Sequence, residues 1–201
     1  MTEFTPNDFI EYKKYLNSIS VVLNKYFEDQ KEYICCKKGC FHCCEYGAYP
    51  FSELEYKFMI IGFMTLDTNS KLEILHNIKL LKDQYHNLGN KENFYHTCPF
   101  LKRNKECSIY EYRGIICRTF GLITQLKDGT FTLPFCCDLD LNYSKVYNSK
   151  TKKIDYKKVQ EYGYKVKPNA YRTSLGTIMS EEIFKEDPIN FGEIKPLIEW
   201  L

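Results

Sequence analysis

The sequence predicts a mainly α-helical fold, a small helical domain with a loop-rich cysteine core and one short β-hairpin. Three observations lead there. Apolar residues recur at helical spacing in the N-terminal part, ten cysteines concentrate in segments without periodicity, and one Asp-Gly pair separates two β-prone runs. The chain has 201 residues, 44% hydrophobic and 27% charged, which suits a globular domain that folds without cross-links. No repeat or long linker interrupts it, so residues 1–201 are predicted to form a single domain.

The first helix is predicted to begin at "TPND", with Thr5 as N-cap, Pro6 at the first helical position and Asp8 in the first turn. It should run to about Lys31 and lead into a cysteine-rich loop around Gly39. Its apolar positions follow a helical period. They are Phe9, Tyr12, Leu16, Ile19, Leu23, Tyr26 and Phe27.

Two further helices are expected before residue 90. "SELE" at 52–55 is a capping box, which predicts a helix through about Met64. A third helix is predicted over 69–88, with Gly89 as its stop. Its inward positions are expected to be Leu72, Leu75, Ile78, Leu81 and Tyr85.

A hairpin and a charged C-terminal region follow. Asp128-Gly129 in "GLITQLKDGTFTLPF" is the one clear strand signal. Residues 143–201 are predicted to be a helical region. Between 143 and 172 it carries nine Lys or Arg against two acids, with six tyrosines interleaved, and between 180 and 201 six acids against two lysines. Basic and aromatic residues together can bind nucleic acid, but we favour a solvated lysine face and expect no nucleic-acid partner.

The cellular compartment decides how the cysteines are interpreted. The N-terminus "MTEFTPNDFIEYKK" lacks the features of a secretory signal, and no apolar run approaches the ~20 residues of a membrane span. We therefore expect a soluble cytoplasmic protein without a membrane partner. Reducing compartments disfavour disulfides and favour metal-binding or catalytic roles for clustered cysteines.

Five cysteines fall within ten positions in "ICCKKGCFHCC". Cys36, Cys40 and Cys43 have the spacing C-x3-C-x2-C, which can surround three corners of a 4Fe-4S cluster, and four thiolates also bind zinc. Because adjacent side chains usually diverge, Cys43 and Cys44 are expected to face two different sites. Alternatively, one of them is a metal ligand and the other contacts that ligand. Cys35 and Cys136 are instead predicted to be small buried residues.

The segments "CKKGCFHCC" and "CPFLKRNKECSIYEYRGIICRTFG" resemble the bacterial YkgJ-like family, named for its CxxCxxCC motif and described as zinc- or iron-chelating domains and as Fe-S oxidoreductases. The resemblance covers about residues 36–137, the motif core. The first gap is three residues instead of two, and Gly114 replaces a proline common in relatives. The cysteines that match are implied to be metal ligands: Cys36, Cys40, Cys43, Cys44, Cys98, Cys107, Cys117 and Cys137.

The resemblance implies a loop-rich cysteine metal core that holds an iron-sulfur cluster (4Fe-4S) or a zinc or iron ion. Eight thiols suffice for two four-thiolate sites, or for one cluster with spare thiols. Arg113 and above all Arg118, next to Cys117, are placed to offset thiolate charge, so Arg118 is the predicted cofactor-binding residue. His42 and His96 lie beside cysteines in the sequence. We expect each to be a polar surface residue, or a residue that contacts a metal ligand, before we expect it to be a ligand itself.

The leading prediction is a cytoplasmic metal-binding protein that can also have a redox function. Its partner is predicted to be a protein or a small molecule of unknown identity. One alternative is a structural-zinc module for a protein or nucleic-acid partner. Another is methyl transfer, because the flagellin lysine N-methylase resembles the same family, although this chain is shorter. The spacing C-x3-C-x2-C also matches radical S-adenosylmethionine enzymes, but the alternating strand and helix pattern of their barrel is missing. No catalytic residue is identified.

Overall fold

A computed structural model of the protein describes residues 2–92, 94–180 and 189–201. Helices account for 46% of these residues and strands for 11%, which confirms the mainly α prediction. Contacts divide the chain into two compact units. Unit 1 comprises Met1–Lys14, Gly39–Cys117 and Asp187–Leu201, and unit 2 comprises Tyr15–Lys38 and Arg118–Glu186. The single-domain organisation stays a prediction.

Most of the elements are short. The α-helices are α1 (Pro6–Asp29), α2 (His42–Glu45), α3 (Glu53–Met64), α4 (Thr68–His86), α5 (Ile115–Thr119), α6 (Tyr156–Glu161), α7 (Leu175–Ser180) and α8 (Leu197–Trp200), and Tyr110–Tyr112 and Phe135–Leu139 form 3-10 helices. The strands are β1 (Pro50–Ser52), β2 (Ile123–Gln125), β3 (Phe131–Thr132), β4 (Tyr147–Asn148), β5 (Lys153–Ile154), β6 (Ala170–Tyr171) and β7 (Ile194–Pro196).

Helix α1 begins at Pro6 as predicted. The backbone N–H and the hydroxyl of Thr5 donate to Asp8 Oδ2 at 2.6 and 2.7 Å, which fixes the first turn. The helix buries one stripe, and it ends two residues before the predicted Lys31. The buried side chains of this stripe are Tyr12, Leu16, Ile19 and Leu23.

The capping box at the start of α3 is confirmed. Ser52 Oγ accepts the Glu55 N–H at 3.2 Å, and Glu55 Oε2 accepts the Ser52 N–H at 2.8 Å. The helix ends at Met64, as predicted. Helix α4 begins after Asp67, whose side chain accepts the Ser70 N–H, and ends two residues before the predicted 88.

The predicted inward face of α4 is wrong at two positions. Leu72 and Leu75 are 59% and 51% exposed, whereas Ile74 and Leu81 are buried. Ile78 lies between them and is half-buried against the core of unit 1. Positions 74, 78 and 81 follow the same helical period as the predicted set, and periodicity alone does not choose between two apolar faces of one helix.

Unit 2 contains the predicted hairpin. Strands β2 and β3 pair antiparallel through Thr124 and Thr132, and Gly129 takes the positive φ of +84° that the turn requires. Two features were not predicted. Strand β6 joins β2 in parallel, with Ile123 opposite Ala170, and β4 pairs with β5.

The region 143–201, predicted as helical, contains α6, α7 and α8 but also the strands β4 to β7. In unit 1, β7 pairs antiparallel with β1, so that Pro50 lies opposite Pro196. Residues 181–188 of this region lie outside the described residues. Over the ranges that the structure describes, no helix has the length and the apolar composition that crossing a membrane requires.

Each unit has its own apolar core. The core of unit 1 contains Phe51, Met59, Ile74, Phe100, Ile109 and Leu197, and the core of unit 2 contains Tyr33, Ile123, Cys137, Tyr143, Val146 and Val159. Cys98, Cys107 and Cys117 pack against the core of unit 1. Apolar packing therefore holds three of the predicted ligands at the edge of one core.

Candidate metal centre

The predicted ligands are divided between the two units. All ten cysteines are free thiols. Cys36 and Cys137 belong to unit 2. Unit 1 contains the other six predicted ligands, which are Cys40, Cys43, Cys44, Cys98, Cys107 and Cys117.

Cys43 and Cys44 lie in the single turn of α2. The Cys44 N–H donates to the Phe41 carbonyl at 2.7 Å and closes this turn. The Cys44 carbonyl in turn accepts the Cys98 N–H at 2.7 Å. A β-bridge between Gly47 and His96 follows immediately. Backbone hydrogen bonds thus hold the first cysteine segment against the segment that contains Cys98.

The Cys-Pro-Phe segment and Cys107 form one tight loop. Phe100 is 1% exposed, and its carbonyl accepts both the N–H and the hydroxyl of Ser108, at 2.9 and 2.7 Å. Leu101 and Cys107 form a β-bridge. The buried phenylalanine anchors the loop, and the bridge places Cys98 and Cys107 on its two arms.

Cys117 lies on α5, whose start is fixed by a buried carboxylate. Glu55 is 0% exposed, and its Oε1 accepts the Ile115 N–H at 2.8 Å. Its other oxygen completes the capping box of α3, so that one side chain ties α3 to α5. A Cβ on Gly114 would lie 2.8 Å from Glu55 Oε1, so a larger residue at this position would require its neighbours to shift.

The thiols of Cys43, Cys98, Cys107 and Cys117, called the unit 1 thiols below, act on one another electrostatically. Burial raises the pKa of Cys98 and Cys117, and the neighbouring cysteines raise both further. Burial also raises the pKa of Cys107. The pKa of Cys43 is raised first by a hydrogen bond with the Cys44 side chain and then by burial. Four thiols from three chain segments therefore lie near one another, each in surroundings that favour its protonated form.

Arg113 is the cation whose charge acts on the largest number of the unit 1 thiols. Its charge lowers the pKa of Cys43, Cys107 and Cys117, although the net shift of each pKa is upward. The guanidinium carbon lies 3.7 Å from the centroid of the Tyr110 ring, a cation–π contact that fixes its position. From the sequence, Arg118 is the predicted cofactor-binding residue, ahead of Arg113. Arg118 belongs to unit 2, where its Nη1 donates to Ser20 Oγ at 3.5 Å, and its cofactor-binding role stays a prediction.

The unit 1 thiols fit a soft metal or an iron-sulfur cluster in the chemistry of their donors. Their positions do not form a ready ligand shell. Within residues 2–92, 94–180 and 189–201, no three side chains of His, Cys, Asp or Glu are grouped so that they could hold a metal ion. The four thiols are neighbours without a common centre.

Cys36 has its own hydrogen-bond partner in unit 2. Asn142 is 1% exposed, and its Nδ2 donates to Cys36 Sγ and to the Gly121 carbonyl, both at 3.0 Å. Its Oδ1 accepts the Cys35 N–H at 2.8 Å. Cys35 itself is exposed, which corrects the prediction that it is buried. Nothing in the sequence near Asn142 indicated this role.

The other cysteines of unit 2 belong to an apolar environment. Cys136 and Cys137 are each 5% exposed, which confirms the prediction for Cys136. Cys137 packs in the core with Tyr143 and Val146, and burial raises its pKa to about 12. Such a thiol behaves as a small hydrophobic side chain.

The two histidines beside cysteines have partners other than thiols. His96 is buried, its Nδ1 lies 3.0 Å from the Thr97 carbonyl, and burial lowers its pKa. His42 Nδ1 lies 3.7 Å from Glu45 Oε2. Both contacts involve Nδ1, and neither involves a thiol.

Comparison of the chain with family models, with curated proteins and with solved structures finds no match. The resemblance to the YkgJ-like family therefore stays a prediction. The case for a metal centre depends on the thiols of this chain and on their neighbours.

Proposed function

We propose that this protein binds an iron-sulfur cluster (4Fe-4S) or a zinc or iron ion through Cys43, Cys98, Cys107 and Cys117. The observation that supports this best is that Cys98, Cys107 and Cys117 pack against one core, and that a 2.7 Å backbone hydrogen bond from Cys98 to Cys44 holds the turn of Cys43 beside them. Thiolates repel each other, and a cation among them removes that repulsion. A cytoplasmic location, where thiols stay reduced, is part of the proposal.

Binding would release the thiol protons and draw the four side chains inward. Because the described thiols are not already grouped around a common centre, the site is expected to form as the metal binds. The loop of Cys98 and Cys107 and the start of α5 keep the backbone in place meanwhile. Four thiolates around Zn²⁺ leave a net charge near −2, of which Arg113 would offset one unit.

The role of the bound group depends on its identity. A cluster would supply electron transfer, whereas zinc in a closed four-cysteine site would supply stability. One observation favours stabilisation by zinc: Cys98, Cys107 and Cys117 pack against the core of unit 1. A structural-zinc module therefore remains our second candidate.

Cys44 and Cys40 are proposed as neighbours of the site. Cys44 forms a hydrogen bond with Cys43, and such contacts to sulfur orient and tune a ligand. Cys40 is half-buried in the loop before α2. Cys36 and Cys137 are predicted as ligands from the sequence alone and are not part of this proposal.

Elemental analysis of anaerobically purified protein, with acid-labile sulfide and an absorption spectrum, tests the proposal. We expect iron with sulfide and a broad visible absorption, or colourless protein with roughly one zinc per chain. Folded, metal-free protein with ten titratable thiols, which takes up neither zinc nor a reconstituted cluster, would contradict it.

A further inference from the structure

A pocket in unit 1 lies between α4 and the loop that contains Cys98. Its volume of about 340 Å³ is within the ~300–1,000 Å³ of small-molecule sites. Cys98 is among its lining residues, so the pocket borders one residue of the candidate metal centre. A ligand bound here would lie next to Cys98.

One wall of the pocket is apolar. Leu80 and Leu81 come from α4, and Leu101 comes from the opposite loop. Leu80 is 48% exposed, whereas Leu81 and Leu101 are buried, so the apolar surface extends from the mouth inward. The Asn77 amide donates to the Pro99 carbonyl at 3.3 Å and joins the two walls. This surface suits the apolar body of an organic molecule.

The rim of the pocket is basic. A turn closed by the Lys105 N–H and the Lys102 carbonyl, at 2.9 Å, places Lys102, Arg103 and Lys105 together. Glu73 lies 3.9 Å from Arg103, and Glu45 pairs with Lys105. Among the described residues, no carboxylate lies within ion-pair distance of the Lys102 ammonium. Arg103 and Lys105 therefore each have a carboxylate partner, and Lys102 is the cation that a ligand could neutralise.

We propose that this pocket binds a small organic anion. Its anionic group would lie at the Lys102–Lys105 turn and its apolar body against Leu80, Leu81 and Leu101, next to Cys98. The inference deepens the proposed function, on which it rests, because it gives the metal centre a ligand class. Apolar contact supplies affinity, and one charged group supplies orientation.

Titration of ¹⁵N-labelled protein with 2-naphthoate, followed by amide chemical shifts, tests this pocket. We expect shifts confined to residues 77–84 and 97–105. The neutral 2-naphthamide should bind about fivefold more weakly, the size expected for one partly exposed ion pair. Lys102→Glu should weaken 2-naphthoate binding by at least that factor, and Leu80→Asp should do so by removing apolar contact.

Two exposed residues of α4 outside the pocket supply matched controls. Lys79→Glu repeats the charge change and Leu72→Asp repeats the apolar-to-acid change, and both should leave binding unchanged. Equal binding of the amide and the carboxylate, shifts spread over other surfaces, or equal losses in the controls would overturn the inference.

Metal content measured on the same samples separates the two proposals. If the protein contains metal but does not bind 2-naphthoate, the pocket inference fails alone. If the protein is metal-free but binds 2-naphthoate at these residues, the pocket stands and the proposed function fails. Leu80→Asp, which changes no charge that acts on the unit 1 thiols, is expected to retain the metal content of the unmodified protein.

Discussion

The cysteines of the two units have different neighbours, although both sets include adjacent pairs. In unit 1, Cys98 and Cys117 have other cysteines among the groups that raise their pKa. In unit 2, Cys36 receives a hydrogen bond from Asn142, and Cys137 lies in an apolar core. The number of cysteines in a segment thus says less about their role than the groups around them.

The difference has an electrostatic consequence. Deprotonating the unit 1 thiols would place several negative charges close together, so ionisation there calls for a cation. Arg113 supplies one positive charge to that group, which does not balance four thiolates. The cysteines of unit 2 are satisfied by an amide and by apolar packing, without an added ion. We therefore expect metal in unit 1 and structural roles in unit 2.

Replacing one cysteine in each unit should produce the largest contrast. Cys117→Ser is expected to reduce bound metal at least tenfold, because a hydroxyl is a poor ligand for the ions that thiolates select. Cys137→Ala should keep the metal and lower the free energy of unfolding by about 1 kcal/mol, as expected for a small truncation in a core. Metal analysis and urea unfolding of both variants measure the two effects.

Cys136→Ala, a second buried position in unit 2, is the control for general damage to the fold. If Cys137→Ala loses as much metal as Cys117→Ser while Cys136→Ala does not, the separation of roles between the units is wrong.

Asn142→Asp should give the next largest effect. The carboxylate can still accept the Cys35 N–H, but it cannot donate to Cys36 Sγ or to the Gly121 carbonyl. Leaving these buried acceptors without donors is expected to lower the free energy of unfolding by about 2 to 3 kcal/mol. The exposed Asn17→Asp in the same unit is the matched control, and the metal content of both variants should equal that of the unmodified protein.

Local patterns in the sequence predicted much of the fold. The first turn of α1, the Ser52–Glu55 capping box and the Asp128-Gly129 hairpin all depend on residues that are close in sequence, and all three are confirmed. Pairing of β1 with β7 joins Pro50 to Pro196, and no short pattern encodes such a pair. The inward face of α4 was missed for a related reason, because its partner surface is distant in sequence.

The candidate site shows the same limit. Motif spacing identified its cysteines, but Glu55 and Asn142 act on residues 60 and 107 positions away, Ile115 and Cys35. Each looked like an ordinary polar residue, Glu55 as part of a helix cap. A fully buried carboxylate or amide with several partners becomes visible only when the chain is folded.

Gly114→Ala should disturb unit 1 without removing a thiol. The added Cβ would lie 2.8 Å from Glu55 Oε1 and from the Phe51 ring, so Glu55, Phe51 or the start of α5 must move. Overpacking of this kind is expected to lower the free energy of unfolding by about 1 to 2 kcal/mol. Because Cys117 is on α5, metal affinity should fall as well, which a competition titration with a chelator measures.

Gly89→Ala is the control for this substitution, since an added Cβ there has nothing within 4 Å. Unchanged metal affinity in Gly114→Ala, with the same loss of stability, would mean that the position of α5 does not matter to the site.

Acid unfolding of Glu53→Gln should separate the fold of unit 1 from its thiols. Burial alone would raise the pKa of Glu53, but hydrogen bonds from the Thr2 N–H and the Lys57 ammonium outweigh it and lower the pKa to about 2, from an ordinary 4.5. A lowered pKa in the folded state means that the stabilisation is complete above 4.5 and is lost as the pH falls toward 2. Glu53→Gln should therefore be less stable than the unmodified protein at pH 7 but equally stable near pH 2.

Urea unfolding at intervals between pH 7 and pH 2 measures this convergence, with the exposed Glu3→Gln as control. Metal content at pH 7 should be unchanged in both variants, because neither carboxylate contributes to the pKa shifts of the unit 1 thiols. A constant stability difference across the whole pH range would show that the charge of Glu53 is not what stabilises unit 1.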